Sequence, residues 1–256
     1  MDINKRREKI LEMLNEKGQV TVSELSDIFN ISSITIRSDL ASLEEKGLLF
    51  RVHGGAMNSY KSYCDMDLKQ RLGTNLKAKQ LISKGAVEMI KDHDTLMFNS
   101  GTTTLSVFRA IPAQLKLNIV TNSVTIALEA SGNPNFNVVL LGGFMNSKYQ
   151  FMYGDDALSQ LKNYHADKLF LSVDGITSSS GLTTYYDREA ELARLMLAQS
   201  TTKIVVADSS KIGRTAFVNI ADASQADLLI TDYNNTVTED INSLKKKIKK
   251  ILTVKE

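Results

Sequence analysis

The chain has 256 residues, 43% of them hydrophobic and 23% charged, with 14 Gly and only 2 Pro; this composition excludes general disorder and provides for a sizeable buried core. That length fits one large domain or a small one joined to a medium one, and two domains are expected. The net charge of +2 points to no partner, because Lys245, Lys246, Lys247, Lys249 and Lys250 near the end of the chain exceed it by themselves.

No apolar stretch approaches the roughly 20 residues needed to cross a bilayer. The opening MDINKRREKI lacks the apolar middle of a secretory signal, so a cytoplasmic location and no membrane partner are expected. Cys64 is the only cysteine, which excludes an intrachain disulfide and a cysteine cluster for zinc or iron-sulfur.

In chain order, Ile3, Ile10, Leu11 and Leu14 recur at helical spacing and stop at Lys17-Gly18, a favourable helix end. Thr21-Val22-Ser23-Glu24 is a capping box, in which hydroxyl and carboxylate each accept from the other residue's backbone N–H; it opens a second helix running to about Phe29. After Asn30-Ile31, either Ser32 or Ser33 caps a third helix with a buried stripe of Ile36, Leu40 and Leu43, ending at Lys46-Gly47.

Ser33, Thr35, Arg37 and Ser38 fall largely off that stripe, in the half of a recognition helix that meets base edges in the major groove. Arg37 leads them, since its planar fork pairs with guanine or with phosphate. Leu48 to Ala56 reads as a wing with a glycine pair, on which Arg51 and His53 share one strand face and reach adjacent phosphates. Asp39 is assigned to a structural pairing with an Arg or a helix end, because phosphate repels a carboxylate. Residues 1–57 hold eight Lys and Arg against nine Asp and Glu, so a DNA-binding case rests on placement. The spacing by itself also fits a plain bundle of three helices with solvated arginines.

Residues 58–76 are polar without a sustained period and read as a linker between a DNA-binding domain, 1–57, and an effector-sensing domain, 77–256. Lys77 to Ile90 reads as a helix with Leu81, Ile82, Ala86 and Ile90 on its apolar face. Apolar runs at Thr95–Phe98, Asn118–Thr121, Asn137–Leu141, Lys168–Val173, Lys203–Ala207 and Leu228–Thr231 then alternate with helical segments, the pattern of a mainly parallel sheet covered by helices.

These runs end in small or polar residues: Asn99, Ser100, Gly101, Thr102, Thr103 and Thr104; Thr121, Asn122 and Ser123; Gly142 and Gly143; Asp174 and Gly175; Asp208 to Lys211; and Thr231-Asp232. In a parallel sheet the carboxyl ends share one edge, where ligands bind. A helix beginning near Thr104 aims free N–H groups and a positive dipole end at an anion, and the hydroxyls of Ser100, Thr102 and Thr103 add donors. Phosphate is the natural guest, with Lys211 as its cation. Each such loop, taken singly, is also ordinary turn and cap chemistry. At the end of the chain, Leu244, Ile248, Ile251 and Leu252 fall on one face of an expected helix that docks on the body, lysines outward.

The string from Arg6 to Ala56 resembles the DeoR-type helix-turn-helix, particularly in Glu24-Leu25, Ser32, Thr35-Ile36-Arg37, Asp39-Leu40, Leu43-Glu44 and Arg51 through Ala56. The region from Lys77 to Asp232 resembles the effector domain of the same family, in Asn99 to Thr103, Thr121 to Ser123, Leu141 to Gly143, Asp174-Gly175, Gly181 to Thr183 and Asp208 to Gly213. The resemblance implies a fold related to ribose-5-phosphate isomerase and a repressor of carbohydrate genes that a sugar phosphate releases from double-stranded operator DNA. The chain departs from the family at Ser38, where a second Arg is usual, at Asn99, where Asp is common, at Ala193, where Lys is common, and after Gly142-Gly143, where no Arg follows closely.

The rival class is a sugar-phosphate isomerase with an appended DNA-binding module. Such an enzyme needs a positioned base and acid; Asp174, Asp208 and Lys211 fit those parts, but positions 99 and 193 lack the carboxylate and lysine. No phosphate loop, nucleophile elbow or zinc-protease pair is present, and His53, His93 and His165 lack ligand spacing. A non-enzymatic regulator without metal or cofactor is expected, acting as a homo-oligomer because such proteins read repeated half-sites.

Overall fold

The computed structural model describes residues 2–45, 49–52, 54–57 and 66–255. The chain divides into two compact units, Met1–Thr74 and Asn75–Glu256.

In the first unit, α1 (Ile3–Lys17) ends where Gly18 turns left-handed at φ 74° and returns its N–H to Leu14 O. The short β1 (Gln19–Thr21) leads into α2 (Val22–Phe29), whose start is the reciprocal Thr21–Glu24 capping box. In α3 (Ser33–Glu45), Ser32 is the cap, its Oγ accepting from Thr35 N at 3.3 Å. Ile36, Leu40 and Leu43 are buried as expected and close on Ile10, Leu14, Val20 and Leu25, whereas Ile3 is exposed. The expected end of this helix at Lys46-Gly47 lies outside the described residues.

The wing is a hairpin of β2 (Phe50–Val52) and β3 (Gly55–Met57), completed by β1 in the order β1-β3-β2. Its glycine pair has two separate causes. Gly54 turns at φ 82°, a region that favours glycine, while a Cβ on Gly55 would stand 2.0 Å from Val20 O. Within the stretch read as a linker lies a one-turn helix, α4 (Leu68–Leu72), opened by an Asp67–Gln70 capping box with Leu68 buried.

The second unit opens with α5 (Leu76–Val87). Seven strands, β4 (Thr95–Phe98), β5 (Leu117–Thr121), β6 (Phe136–Leu140), β9 (Ala166–Leu171), β12 (Ser200–Val206), β14 (Leu228–Asp232) and β15 (Lys250–Val254), form one sheet in the order β15-β14-β12-β9-β4-β5-β6. Every pairing in it is parallel. Phe98 stacks on Phe170 at 5.2 Å between ring centroids and meets Phe108 edge-on, so the centre of the sheet is anchored on aromatic contacts. Between these strands run α6 (Thr102–Arg109), α7 (Val124–Ala130), the hairpin β7 (Phe144–Asn146) with β8 (Phe151–Tyr153), α8 (Asp155–Leu161) and α9 (Asp187–Ala198). A smaller antiparallel sheet joins β10 (Gly175–Thr177), β11 (Gly181–Thr184) and β13 (Val218–Ala221).

Two expectations are corrected. The helix after Asn99 begins at Thr102, not near Thr104. The end of the chain is not one helix: α10 (Thr238–Leu244) stops early, and Ile251 and Leu252 belong to β15, which pairs with β14 from Leu228↔Lys250 to Asp232↔Val254. The helical period was coincidental, and the open backbone edge of β14 supplies hydrogen bonds that an isolated helical turn lacks.

Asp39, 1% exposed, accepts from Arg6 Nε at 2.6 Å and from Arg7 Nε at 2.9 Å, tying α3 to α1. Removing one member of a buried ion pair leaves charge uncompensated. Asp39→Ala is expected to lower the stability of the first unit by about 3 kcal/mol, read as a fall in its urea midpoint by circular dichroism; an unchanged midpoint would assign the contact no structural weight.

Candidate functional site

On the first unit, Ser33, Arg37 and Ser38 are exposed on α3. Thr35 is half-buried, and its hydroxyl lies 3.0 Å from Ser32 Oγ inside the cap. Arg51 is held toward the body by Glu44, which accepts its backbone N–H at 3.0 Å and stands 3.8 Å from its guanidinium. His53 lies outside the described residues, so its pairing with Arg51 on one strand face is not described.

In the second unit, the chain order explains where a ligand would lie. From β4 the sheet is built outward through β5 and β6; the chain then returns to β9 on the other side of β4 and builds outward through β12, β14 and β15. The order reverses between β4 and β9, and the carboxyl edge at such a reversal is the usual ligand position in these sheets. Asn99 follows β4 at that point and ties it to the loop after β9. Its Nδ2 donates to Ser172 O at 3.0 Å, and its Oδ1 accepts from Ser172 N at 2.8 Å.

Ser100 N donates to Asn122 Oδ1 at 3.0 Å, and Ser100 Oγ donates to Glu189 Oε1 at 3.0 Å. Gly101 then starts α6, and no side chain caps this helix. The glycine is required by close approach: a Cβ there would stand 1.9 Å from Ser172 Oγ. Thr102 and Thr103 occupy the first turn. Thr104 is fully enclosed, and its hydroxyl donates to Asn99 O and Gly101 O, so it shapes the turn from within.

After β9, Asp174 Oδ2 accepts from Thr184 Oγ1 at 3.0 Å and from Tyr185 N at 3.2 Å, and Glu189 Oε2 accepts from the same Thr184 hydroxyl at 2.9 Å. Gly175 begins β10, where a Cβ would stand 2.5 Å from Arg214 O. The structure thus brings Asn99, Ser100, Gly101 and Asp174 together around Ser172, Thr184 and Glu189.

Other expected residues make hydrogen bonds or turns within the fold. Thr121 Oγ1 donates to Phe98 O and accepts from Ser123 N, Asn122 Nδ2 donates to Met152 O, and Ser123 Oγ caps α7 by accepting from Ile126 N. Gly142 and Gly143 follow the outermost strand β6. Gly142 N donates to Gln160, and Gly143 at φ 124° lets the chain turn into β7, since a Cβ there would stand 2.5 Å from Tyr153 O.

Lys211 sits in a 3-10 turn, Ser209–Lys211, after β12 and is buried. Asp208 caps that turn and accepts from Asn75 Nδ2 at 3.0 Å. Burial pushes the Asp208 carboxyl up, but the charges of Lys211 and Lys79 and hydrogen bonds from Ser210 and Asn75 hold it below the ordinary carboxylate value. Asp232 goes the other way, raised by burial and by the charge of Asp208, although it accepts from Ser209 N and Oγ.

Lys79 and Glu189 escape a reading by motif. Lys79 stands on the buried stripe of α5 with Ile82, Ser83 and Ala86, and a lysine at an apolar-period position was the available signal. Glu189 gave none, because acidic residues are ordinary in the first turn of a helix.

Residues 6–61 match the DeoR-like helix-turn-helix domain, and residues 74–233 match the DeoR C terminal sensor domain. The chain belongs to the DeoR family. It is therefore a DNA-binding transcriptional regulator.

Similar DeoR relatives include a protein of Escherichia coli O157:H7 named for repression of the aga operon, 36% identical over 90% of this chain and 86% of its own. The regulator GolR of Listeria innocua is 33% identical over 89% of each chain. The lactose phosphotransferase system repressor of Staphylococcus epidermidis is 32% identical over 90% of this chain and 92% of its own. Among solved structures, ribose 5-phosphate isomerase A from Methanocaldococcus jannaschii has a TM-score of 0.39 at 16% identity over 54% of this DeoR chain and 55% of that one. For eIF2B delta from Chaetomium thermophilum the score is 0.43 at 18% identity over 63% and 57%. The DeoR chain thus spans little more than half of either structure.

Asp208→Asn removes the carboxylate that faces Lys211 and Lys79 and is expected to lower stability by about 3 kcal/mol at neutral pH. A lowered folded pKa contributes stability above the unfolded value, lost as pH falls through the folded one. The difference between wild type and variant in urea unfolding should therefore be full above about pH 4 and shrink below it; a difference independent of pH would remove charge from the account.

Proposed function

We propose that this DeoR regulator represses a carbohydrate-metabolism operon by binding operator DNA through α3 and the wing, and that a phosphorylated sugar at the carboxyl edge of the sheet releases it. The observation that carries this reading is the uncapped N-terminus of α6 at the reversal between β4 and β9. The first N–H groups of a helix have no intrahelical partner, and the dipole adds positive potential there. Phosphate satisfies both needs at once.

The carboxylates of Asp174 and Glu189 supply acceptors on the opposite wall, which suits the hydroxyls of a polyol. Buried Lys211 and Lys79 add positive charge along the same carboxyl edge, beside Asp208. The name of the lactose phosphotransferase system repressor agrees with a carbohydrate role. Release requires that the sugar phosphate bind the operator-free form more tightly than the bound one, and by linkage operator weakens the sugar phosphate by the same factor.

Catalysis is not part of this reading. Asn99 has a carboxamide where proton abstraction needs a base, and both of its ends are committed to Ser172. A homo-oligomer is part of it, because paired recognition helices match repeated half-sites.

The test is operator binding by the full chain at fixed salt, with a panel of sugar phosphates and the matching free sugars. One phosphate should release the DNA while its free sugar does not, and Gly101→Ala should bind operator normally yet resist release. Conversion of a sugar phosphate to product would replace this reading with an enzymatic one. A normal release midpoint in Gly101→Ala would move the phosphate elsewhere.

A further inference from the structure

Ile34 is the second residue of α3 and is 76% exposed. At 100° per residue it lies about 160° around the helix from Ile36, opposite the buried stripe of Ile36, Leu40 and Leu43. The same face continues through exposed Ser38 and half-buried Ala41, at i+4 and i+7, so Ile34 is the one large apolar side chain on a face it shares with Arg37 and small residues. A lone exposed isoleucine is unremarkable elsewhere. Here neither packing nor helix propensity accounts for it, since a β-branched residue disfavours a helix slightly and this one buries little. Exposed Ser33 and Arg37 flank it. Within the major groove, the apolar feature offered by the bases is the C5-methyl of thymine.

We propose that Ile34 is a specificity-determining residue that packs on a thymine methyl group in each operator half-site, beside the base or phosphate met by Arg37. The small side chains of Ser38 and Ala41 let the helix approach closely enough for that contact. This rests on the reading that α3 enters the major groove.

The test uses a duplex selected from random sequence by the full-length protein, with uracil replacing thymine one position at a time. Uracil keeps every hydrogen-bonding group and loses only the methyl. At one position per half-site, wild type should bind the uracil duplex about fourfold more weakly, the worth of one buried methyl. Ile34→Ala should bind both duplexes equally, with an unchanged circular dichroism spectrum because the side chain is on the surface. Equal sensitivity to uracil in wild type and Ile34→Ala, or no sensitive position in wild type, would overturn the proposal. Arg37→Ala separates the two readings. Loss of preference for the selected duplex upholds groove insertion independently of Ile34, and retained preference would overturn groove insertion and the proposal together.

Discussion

A parallel strand cannot be joined to its neighbour by a tight turn; each connection must cross back over the sheet. In this regulator all pairings of the seven-stranded sheet are parallel, so every strand delivers its carboxyl end to the same edge. The loops that follow are released from the ladder just where they meet one another. Their backbone groups still need partners, and an unpaired buried amide costs about as much as a lost hydrogen bond. Much of the polar chemistry at that edge answers this demand. Asn99 joins the loops after β4 and β9, Asn122 joins the loop after β5 to Ser100 and to β8, and Asp232 joins the end of β14 to Ser209.

What distinguishes a ligand position from a fastened loop is what the fastening leaves over. The start of α7 is closed by Ser123, whereas the start of α6 has no side-chain cap. The two helices follow neighbouring strands in the same manner, so the difference is local. Gly101 presses against Ser172 and has no side chain with which to cap. The close approach that joins the two loops also leaves the helix start without a side-chain cap.

Much of the architecture was legible because it rests on period and punctuation. The Thr21–Glu24 box, the stripe of α3 and six of the seven parallel strands each depend on neighbours within a few residues, and the structure contains them. β15 was misread because Lys245 to Leu252 satisfies a helical period, and only the distant edge of β14 decides between helix and strand. The hairpin of β7 and β8 and the sheet of β10, β11 and β13 were missed for a related reason, as their strands are three or four residues long and hold too few periods to read. At the edge of the sheet, residue type located the loops but not the direction of each side chain. Thr104 and Thr121 look like Ser100 in sequence, yet their hydroxyls turn inward to carbonyl groups.

The first unit shows the same competition between structural and functional use of polar groups. Its basic residues do not outnumber its acidic ones, and Arg6 and Arg7 direct their Nε groups to buried Asp39 while Arg51 leans on Glu44. That leaves little surplus charge to meet phosphate, and phosphate contacts supply much of the affinity for DNA. A unit so balanced gains affinity by acting in pairs, where the second binding event proceeds at the high effective concentration set by the first. On the reading that α3 enters the major groove, specificity then comes from a few groups on its outward face. The near-neutral charge of this unit is thus a physical ground for expecting more than one copy on the operator, separate from any symmetry of the DNA.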